Sequence, residues 1–162
     1  MRFHRFVVMG VCGCGKTTVG QALAQALDCQ FVEGDSLHPA ANIDAMSRGV
    51  PLTDDMRRPW LTRIADELST AHTGLVVSCS ALKIAYRDIL RGAGPVFFVH
   101  LTLNFETAFA RVGQRPDHYM PASLVKSQFD TLQNLGGAED GVSIDATLPP
   151  DQIVDQVLRA VS

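Results

Sequence analysis

The segment GVCGCGKT, residues 10–17, fits the pattern G-x-x-x-x-G-K-[ST], in which backbone N–H groups, a lysine and a hydroxyl surround phosphate groups. A short apolar run at residues 6–9 precedes the segment, and apolar side chains recur at helical spacing from residue 15 to residue 27. A buried strand, a glycine-rich turn and an amphipathic helix are the context that makes this pattern specific. The sequence therefore predicts a phosphate-binding loop.

The residue types of this loop suit ATP and Mg²⁺. Glycines let the backbone approach an anion closely, and the following helix presents unpaired N–H groups to it. Lys16 is expected to neutralise the β- and γ-phosphates, and Thr17 is expected to offer its hydroxyl to Mg²⁺. The predicted ATP-binding residues of the loop are Gly10, Cys12, Gly13, Cys14, Gly15, Lys16, Thr17 and Thr18.

Further strands and helices alternate along the rest of the chain. Strand patterns occupy residues 30–33, 75–79, 95–101 and 142–145, and helical patterns occupy residues 54–71, 81–91, 105–112, 122–132 and 153–161. Asp54 or Asp55 is expected to cap the longest helix. This alternation predicts a three-layer α/β fold, a five-stranded parallel sheet with helices on both faces. We expect one domain over residues 1–162, with a polar, proline-bounded mobile lid at about residues 111–121.

Composition and charge exclude several classes of protein. The chain has 162 residues and a formal net charge of −3, without the basic excess that nucleic-acid binding needs. No apolar run reaches the length of a membrane span, and the apolar run near the N-terminus is too short for a signal peptide. We therefore expect a cytoplasmic protein that binds neither nucleic acid nor membrane.

The four cysteines favour reduced thiols over a metal site. No second cysteine or histidine pair stands at zinc-site spacing from Cys12 and Cys14. A helix N-terminus can lower a thiol pKa, so one of these two thiols is a candidate for redox sensitivity. The alternative is that both are small residues that merely fit a tight loop.

The segment after the second predicted strand points to the acceptor of the phosphoryl group. Asp35 follows that strand directly, at the edge of a parallel sheet where ligands bind. It can accept the proton of an attacking hydroxyl, or hold that hydroxyl, whereas a turn-capping role is the alternative. His38 precedes Pro39, and a surface histidine is nearly as well supported as a ligand.

From this point the chain resembles the gluconokinase family. The resemblance is carried by GDSLHPAANIDAMSRGVPLTDDMRRPWL at residues 34–61 and by SCSALK at residues 78–83 with Tyr86-Arg87-Asp88 after it. It continues through Arg111-Val112-Gly113-Gln114-Arg115, His118-Tyr119-Met120 and Ser127-Gln128-Phe129. Two departures stand out: cysteine replaces the usual serine at 12 and 14, and Tyr119 stands where phenylalanine is usual.

The resemblance implies transfer of a phosphoryl group from ATP to the 6-hydroxyl of gluconate, a nucleoside-monophosphate-kinase-like fold and a homodimer. It implies acceptor-site roles for the following residues: Asp35, Lys83 and Arg87, with Arg57 or Arg58 and His118 nearby. Arg111 and Arg115 correspond to lid arginines that close on the phosphates, so that Lys16, Asp35 and Arg115 are the expected catalytic residues.

The chemistry of gluconate agrees with these residue types. Its carboxylate needs a cation, and Lys83 and Arg87, four residues apart, can share one helix face, although a solvated helix surface is the alternative. Arg111 and Arg115 have the same spacing and precede the predicted lid, where they can neutralise transition-state charge. Their alternative is a solvated helix end.

Two other readings stay open from the sequence. Another small-molecule kinase of this fold, such as a shikimate or nucleotide kinase, is the nearer one, although the Arg-Gly-Gly expected of a shikimate site is replaced by SCSALK. A P-loop regulator that hydrolyses ATP or GTP is the other, although a guanine-specific N-K-x-D segment is absent from the sequence.

Overall fold

The computed structural model describes residues 3–114 and 121–162, in which strands and helices alternate as predicted. The strands are β1 (Arg5–Met9), β2 (Gln30–Glu33), β3 (Leu75–Ser78), β4 (Phe97–Thr102) and β5 (Gly141–Asp145). The helices are α1 (Lys16–Leu27), α2 (Ala40–Ser47), α3 (Asp54–Thr70), α4 (Ile84–Arg91), α5 (Phe105–Gly113), α6 (Ala122–Thr131) and α7 (Pro150–Val161), with one 3₁₀ turn at Gly34–Leu37. None of the helices in these ranges is both long and apolar enough to cross a membrane.

The five described strands form one parallel sheet in the order β2-β3-β1-β4-β5. Val7 of β1 stands opposite Val77 of β3 and Phe98 of β4, so β1 is central. From β1 the chain crosses to the edge strand β2, returns through β3, and then passes to β4 and β5 on the other side of β1. Ligands bind beside the carboxyl ends of the strands where the strand order switches sides in this way. The sheet therefore opens a binding crevice directly above the phosphate-binding loop.

Both faces of the sheet are covered by helices, as the sequence predicts. Val7 and Met9 point to one face, where they share a core with residues of α3 and α4. Phe6 and Val8 point to the other face, where they pack with residues of α1 and α7. A strand that is buried on both faces has apolar residues at consecutive positions. The central strands could therefore be predicted from the sequence.

Three of the differences from the predicted element boundaries have a clear local cause. Thr53, and not Asp54 or Asp55, caps α3, because its side chain accepts a hydrogen bond from the Met56 N–H. The helix expected from residue 81 begins only at Ile84, since Ala81 has a positive φ of 45°. The last helix begins three residues earlier than expected, with proline in its first turn, where the missing N–H costs nothing.

Candidate active site

A cavity of about 830 Å³ lies above the carboxyl ends of β1, β2 and β3. The residues around it come from the phosphate-binding loop, from the segments after β2 and β3, and from α3, α5 and α6. Its polar and charged lining residues include Lys16, Thr17, Thr18, Glu33, Asp35, Ser36, His38, Arg57, Ser80, Arg111, Gln114, Ser127 and Gln128. The volume is in the usual range for a small-molecule site.

The phosphate-binding loop wraps the base of this cavity with open N–H donors. Gly13 and Gly15 have φ of 82° and 91°, which other residues rarely adopt. Among the described residues, none accepts a hydrogen bond from the backbone N–H groups of Gly13, Gly15, Lys16 or Thr17. Lys16 Nζ donates to the carbonyl oxygens of Gly10 and Val11, at 3.1 and 3.0 Å, which fixes its charge beside those donors. The loop therefore forms an anion site.

Two of the predicted ATP-binding residues lie beneath the loop instead of facing the cavity. The Cys14 side chain is 1% exposed and belongs to the core that packs against α1. A side chain at Gly10 would stand 2.8 Å from the Leu101 carbonyl oxygen, so glycine is required there for packing. Gly10 and Cys14 therefore shape the loop, whereas Cys12, Gly13, Gly15, Lys16, Thr17 and Thr18 line the cavity.

The expected lowering of a thiol pKa is wrong for Cys12. Burial raises the pKa of the Cys12 thiol, and it outweighs the opposing effect of the nearby Lys16 ammonium. The Cys12 N–H points to the cavity side, where it donates to Gln128 Oε1 of α6 at 2.6 Å. The basis for a reactive thiolate at position 12 is thereby removed.

Glu33 is a site residue that the sequence prediction missed. Its carboxylate accepts hydrogen bonds from the Thr17 hydroxyl and from Ser78 Oγ, the latter at 2.6 Å. Ser78 Oγ in turn accepts from the Gly34 N–H at 3.2 Å. The rule that selected Asp35, a carboxylate at the end of a parallel strand, applies equally to Glu33, the last residue of β2.

Asp35 and His38 stand on and just after the 3₁₀ turn that follows β2. The Asp35 side chain is 71% exposed and lines the cavity. His38, for which a surface position was one expectation, is only 7% exposed and stacks on Trp60 with ring centroids 4.0 Å apart. Trp60 is 1% exposed and donates to the Gly34 carbonyl oxygen at 2.8 Å, so it anchors the packing of this turn.

The hydrogen bonds of His38 define which ring nitrogen carries a proton. Asn42 Nδ2 donates to the Met56 carbonyl oxygen at 2.9 Å, which identifies it as the amide nitrogen, and it lies 3.2 Å from His38 Nδ1. His38 Nδ1 is therefore the acceptor, and Nε2–H points toward Asp35 Oδ1 at 3.9 Å. Burial lowers the pKa of His38, so the ring is neutral at neutral pH.

Of the two candidate arginines on α3, only Arg57 lines the cavity. Its Nη1 donates to Tyr86 Oη at 2.7 Å. Arg58 forms an ion pair with Asp55 at 3.0 Å, and its side chain is 64% exposed. Neighbouring helix residues point in directions about 100° apart, and here Arg57 faces the cavity whereas Arg58 faces the surface. The expectation for Arg58 is therefore wrong.

Arg87 also requires a correction. It is fully buried, and its guanidinium binds Glu139 at 2.8 Å and the carbonyl oxygens of Ala81, Gln133 and Asn134 at 2.7 to 3.3 Å. It is neither an acceptor-site cation nor a solvated surface residue, because all three of its guanidinium nitrogens donate to partners inside the fold.

Lys83 does not line the cavity either. Its ammonium binds the Asp54 carboxylate at 3.0 Å, and its residue is the N-cap of α4. Lys83 and Arg87 therefore do not share the exposed helix face that their spacing allowed. The Lys83 ammonium is thus paired with Asp54 outside the cavity.

The predicted lid is only partly within the described residues. Arg111 lines the cavity and donates to the carbonyl oxygens of Gly13 and Ala146, each at 3.3 Å. Arg115 and His118 lie outside the described residues. In the part of the chain that the structure describes, no group of three His, Cys, Asp or Glu side chains is arranged to hold a metal ion. The site thus combines an anion loop, the carboxylates of Glu33 and Asp35, and the guanidinium groups of Arg57 and Arg111 around one cavity.

Comparisons with known proteins identify relatives of this chain. The shikimate kinase family model matches residues 12–162. The chain is 44% identical to the thermosensitive gluconokinase of Escherichia coli (strain K12), over 99% of this chain and 89% of that protein. It is 45% identical to the gluconokinase of Gluconobacter oxydans (strain 621H), over 94% of this chain and 88% of that protein.

Solved structures of kinases share the fold of this chain. The crystal structure of a gluconokinase from Sinorhizobium meliloti 1021 matches with a TM-score of 0.90 at 44% identity, covering 99% of this chain and 93% of that chain. A shikimate kinase from Aquifex aeolicus vf5 matches with a TM-score of 0.66 at 18% identity, covering 97% of this chain and 95% of that one. The second likeness concerns the fold alone.

Proposed function

Because this chain belongs to the gluconokinase family and is a P-loop kinase, we propose that it transfers the γ-phosphoryl group of ATP to the 6-hydroxyl group of D-gluconate. The observation that carries the proposal is the cavity, in which an open anion loop faces a carboxylate, Asp35, and an arginine, Arg57. A kinase for a sugar acid needs these three features together: a phosphate site, a group that holds the attacking hydroxyl, and a cation for the acceptor carboxylate.

The donor side fits ATP. The free N–H groups of Gly13, Gly15, Lys16 and Thr17 converge on one end of the cavity, where the N-terminus of α1 adds positive potential. The Lys16 ammonium stands among the same groups. In phosphoryl transfer such fixed donors supply most of the catalysis, because charge spreads over phosphate oxygens in the transition state.

The chain also offers ligands suited to Mg²⁺ held together with phosphates. Thr17 and Glu33 place a hydroxyl and a carboxylate oxygen side by side, and both are hard oxygen ligands. Among the described residues, too few ligands converge there to hold a metal without phosphates. Mg²⁺ at a nucleotide is usually held in this way, by one or two protein ligands together with the phosphate oxygens. Mg²⁺, when bound with the nucleotide, neutralises charge on the β- and γ-phosphates. Ser78 keeps the Glu33 carboxylate turned toward Thr17.

On the acceptor side, three residues have complementary tasks. Arg57 pairs with the gluconate carboxylate, since it is the described acceptor-side cation that lines the cavity. Asp35 accepts a hydrogen bond from the attacking hydroxyl and orients it. His38 presents Nε2–H as a neutral donor to the acceptor hydroxyls or to Asp35. A neutral sugar offers no carboxylate to the cavity-side N–H groups of Arg57, so we expect a neutral sugar to be a poor acceptor.

Other parts of the proposal rest on the family resemblance. Arg111, together with Arg115 and His118 outside the described residues, is proposed to close over the phosphates and the acceptor during turnover. A homodimer is proposed on the same ground, whereas the cytoplasmic location is proposed from the apolar patterning of the sequence. Sedimentation equilibrium of the purified protein tests the dimer: a mass near that of one chain would contradict it.

A coupled ADP-release assay tests the proposed function. Mg²⁺-ATP is offered with gluconate, glucose, shikimate, glycerate or AMP, and with no acceptor. We expect turnover that depends on gluconate. Turnover with shikimate or AMP instead would favour another small-molecule kinase, and ATP hydrolysis that needs no acceptor would favour a regulatory P-loop protein.

A further inference from the structure

Four polar side chains form a continuous chain between the first turns of α3 and α4. Lys83 Nζ donates to both Asp54 oxygens, at 3.0 and 3.3 Å. The Tyr86 hydroxyl donates to Asp54 Oδ1, and Arg57 Nη1 donates to Tyr86 Oη at 2.7 Å. Of these four residues, only Arg57 lines the cavity. The chain therefore connects a surface ion pair to one cation of the acceptor site.

The order of donors in this chain has one consistent solution. A carboxylate only accepts, so Asp54 takes the ammonium of Lys83 and the hydroxyl proton of Tyr86. The lone pairs of the phenol oxygen are then left to accept from Arg57, which only donates. The hydrogen bond from Tyr86, and then that from Lys83, lower the pKa of Asp54, so the carboxylate stays ionised at neutral pH.

Tyr86 is a rigid support for the arginine. Its side chain is 4% exposed and packs in the core beneath α3 and α4. Its ring also lies near the guanidinium, with Arg57 Cζ 5.3 Å from the ring centroid. Apart from the bond to Tyr86, no hydrogen bond joins the Arg57 guanidinium to any described residue. The remaining N–H donors are thus available on the cavity side.

We propose that Tyr86, oriented by Asp54 and Lys83, is a positioning residue that holds the Arg57 guanidinium in place for the carboxylate of the acceptor. The inference rests on the proposed function and deepens it by assigning the residues that set specificity for an acidic acceptor. It also gives Lys83 a role that does not require contact with gluconate. An arginine fixed in advance loses less side-chain entropy when it binds its ligand.

The test is a double-mutant cycle on Tyr86→Phe and Arg57→Gln, measured as kcat and KM for gluconate and for ATP. Tyr86→Phe keeps the buried ring and removes the hydroxyl, after which Arg57 is free to turn toward Asp54. We expect KM for gluconate to rise about two- to tenfold, with KM for ATP and the melting temperature unchanged. In the Arg57→Gln background, Tyr86→Phe should have no further effect on KM for gluconate.

Two comparisons complete the experiment. Lys83→Met should also raise KM for gluconate, but by a smaller factor than Tyr86→Phe does, because Lys83 acts through Asp54. Asp55→Asn is the matched control, since Asp55 is the next residue on the same helix and pairs with Arg58 on the surface.

The possible outcomes separate the two proposals. This inference would be overturned, and the proposed function left standing, by an unaltered KM for gluconate in Tyr86→Phe. The same holds if the factors by which Tyr86→Phe and Arg57→Gln change this KM simply multiply in the double variant. Absence of gluconate turnover in the unaltered protein would overturn both. A KM change for gluconate confined to the variants with Arg57 present supports the inference.

Discussion

Replacement of His100 by glutamine is expected to make the fold more resistant to acid. His100 lies on β4, is 2% exposed, and its Nδ1 has no hydrogen-bond partner among the described residues. Burial, and then the charge of Arg87, lower its pKa from 6.5 to about 4. The unfolded chain therefore binds a proton at this residue between pH 6.5 and about pH 4 that the folded protein does not bind. Stability is lost as the pH falls through that window.

The size of the effect follows from the two pKa values. A difference from 6.5 to about 4, at about 1.4 kcal/mol per pKa unit, corresponds to about 3 kcal/mol below pH 4. At pH 5 the same linkage gives about 2 kcal/mol, and at pH 7.5 almost nothing. This is a large share of the roughly 5–15 kcal/mol that stabilises a typical domain.

Urea unfolding at pH 5 and pH 7.5, followed by the fluorescence of the single tryptophan, Trp60, measures this difference. The difference in free energy of unfolding between His100→Gln and the unaltered protein should be about 2 kcal/mol more favourable to the variant at pH 5 than at pH 7.5. His72→Gln is the control, because an exposed imidazole meets solvent in both states. The same pH dependence in His100→Gln and the unaltered protein would refute the reasoning.

Three further predictions concern the site and its support. Lys16→Ala should abolish ADP release while the circular dichroism spectrum stays unchanged, since Lys16 lies half-buried at the anion loop; measurable turnover would remove its assigned role. Asp35→Asn should lower kcat more than it weakens ATP binding, and a near-normal kcat would show that Asp35 neither orients nor deprotonates the acceptor. Arg87→Met should destabilise the protein by about 3 kcal/mol in urea unfolding, because the buried Glu139 carboxylate loses its close partner and keeps only Arg91, whose Nη1 lies 3.7 Å away. Adding Glu139→Gln should restore part of that loss, and equal instability of the single and double variants would argue against the ion pair.

The fold was largely predictable because its determinants are local. The strands are short apolar runs, the helices show helical periodicity, and the glycine-lysine-threonine pattern identifies the first turn of the sheet. The order β2-β3-β1-β4-β5 was not predicted, since it depends on pairings such as Val7 with Val77, far apart in sequence. The start of α4 was missed because a positive φ at Ala81, a residue without special turn propensity, is imposed by its surroundings.

The site was predicted less completely, and the errors on the cations Arg87 and Lys83 share one cause. Long cationic side chains reach partners that sequence spacing does not reveal: Arg87 meets Glu139, which is 52 residues away, and Lys83 meets Asp54, which is 29 residues away. Both were assigned to gluconate because the partner carboxylates were not considered. His38 was hard to assign because its burial depends on stacking against Trp60 from another helix. Glu33, by contrast, was within reach of the rule already applied to Asp35.

The central claim is that this cavity directs a phosphoryl group to the 6-hydroxyl of gluconate. The most direct measurement is carbon NMR of the product formed from uniformly ¹³C-labelled gluconate and Mg²⁺-ATP, in which the phosphorus atom splits the signal of the carbon that bears the ester oxygen. We expect ³¹P splitting at C6 and at its neighbour C5 in the product of the unaltered protein, and none with Lys16→Ala. Splitting centred on another carbon, or an unphosphorylated product with ADP formed, would contradict it.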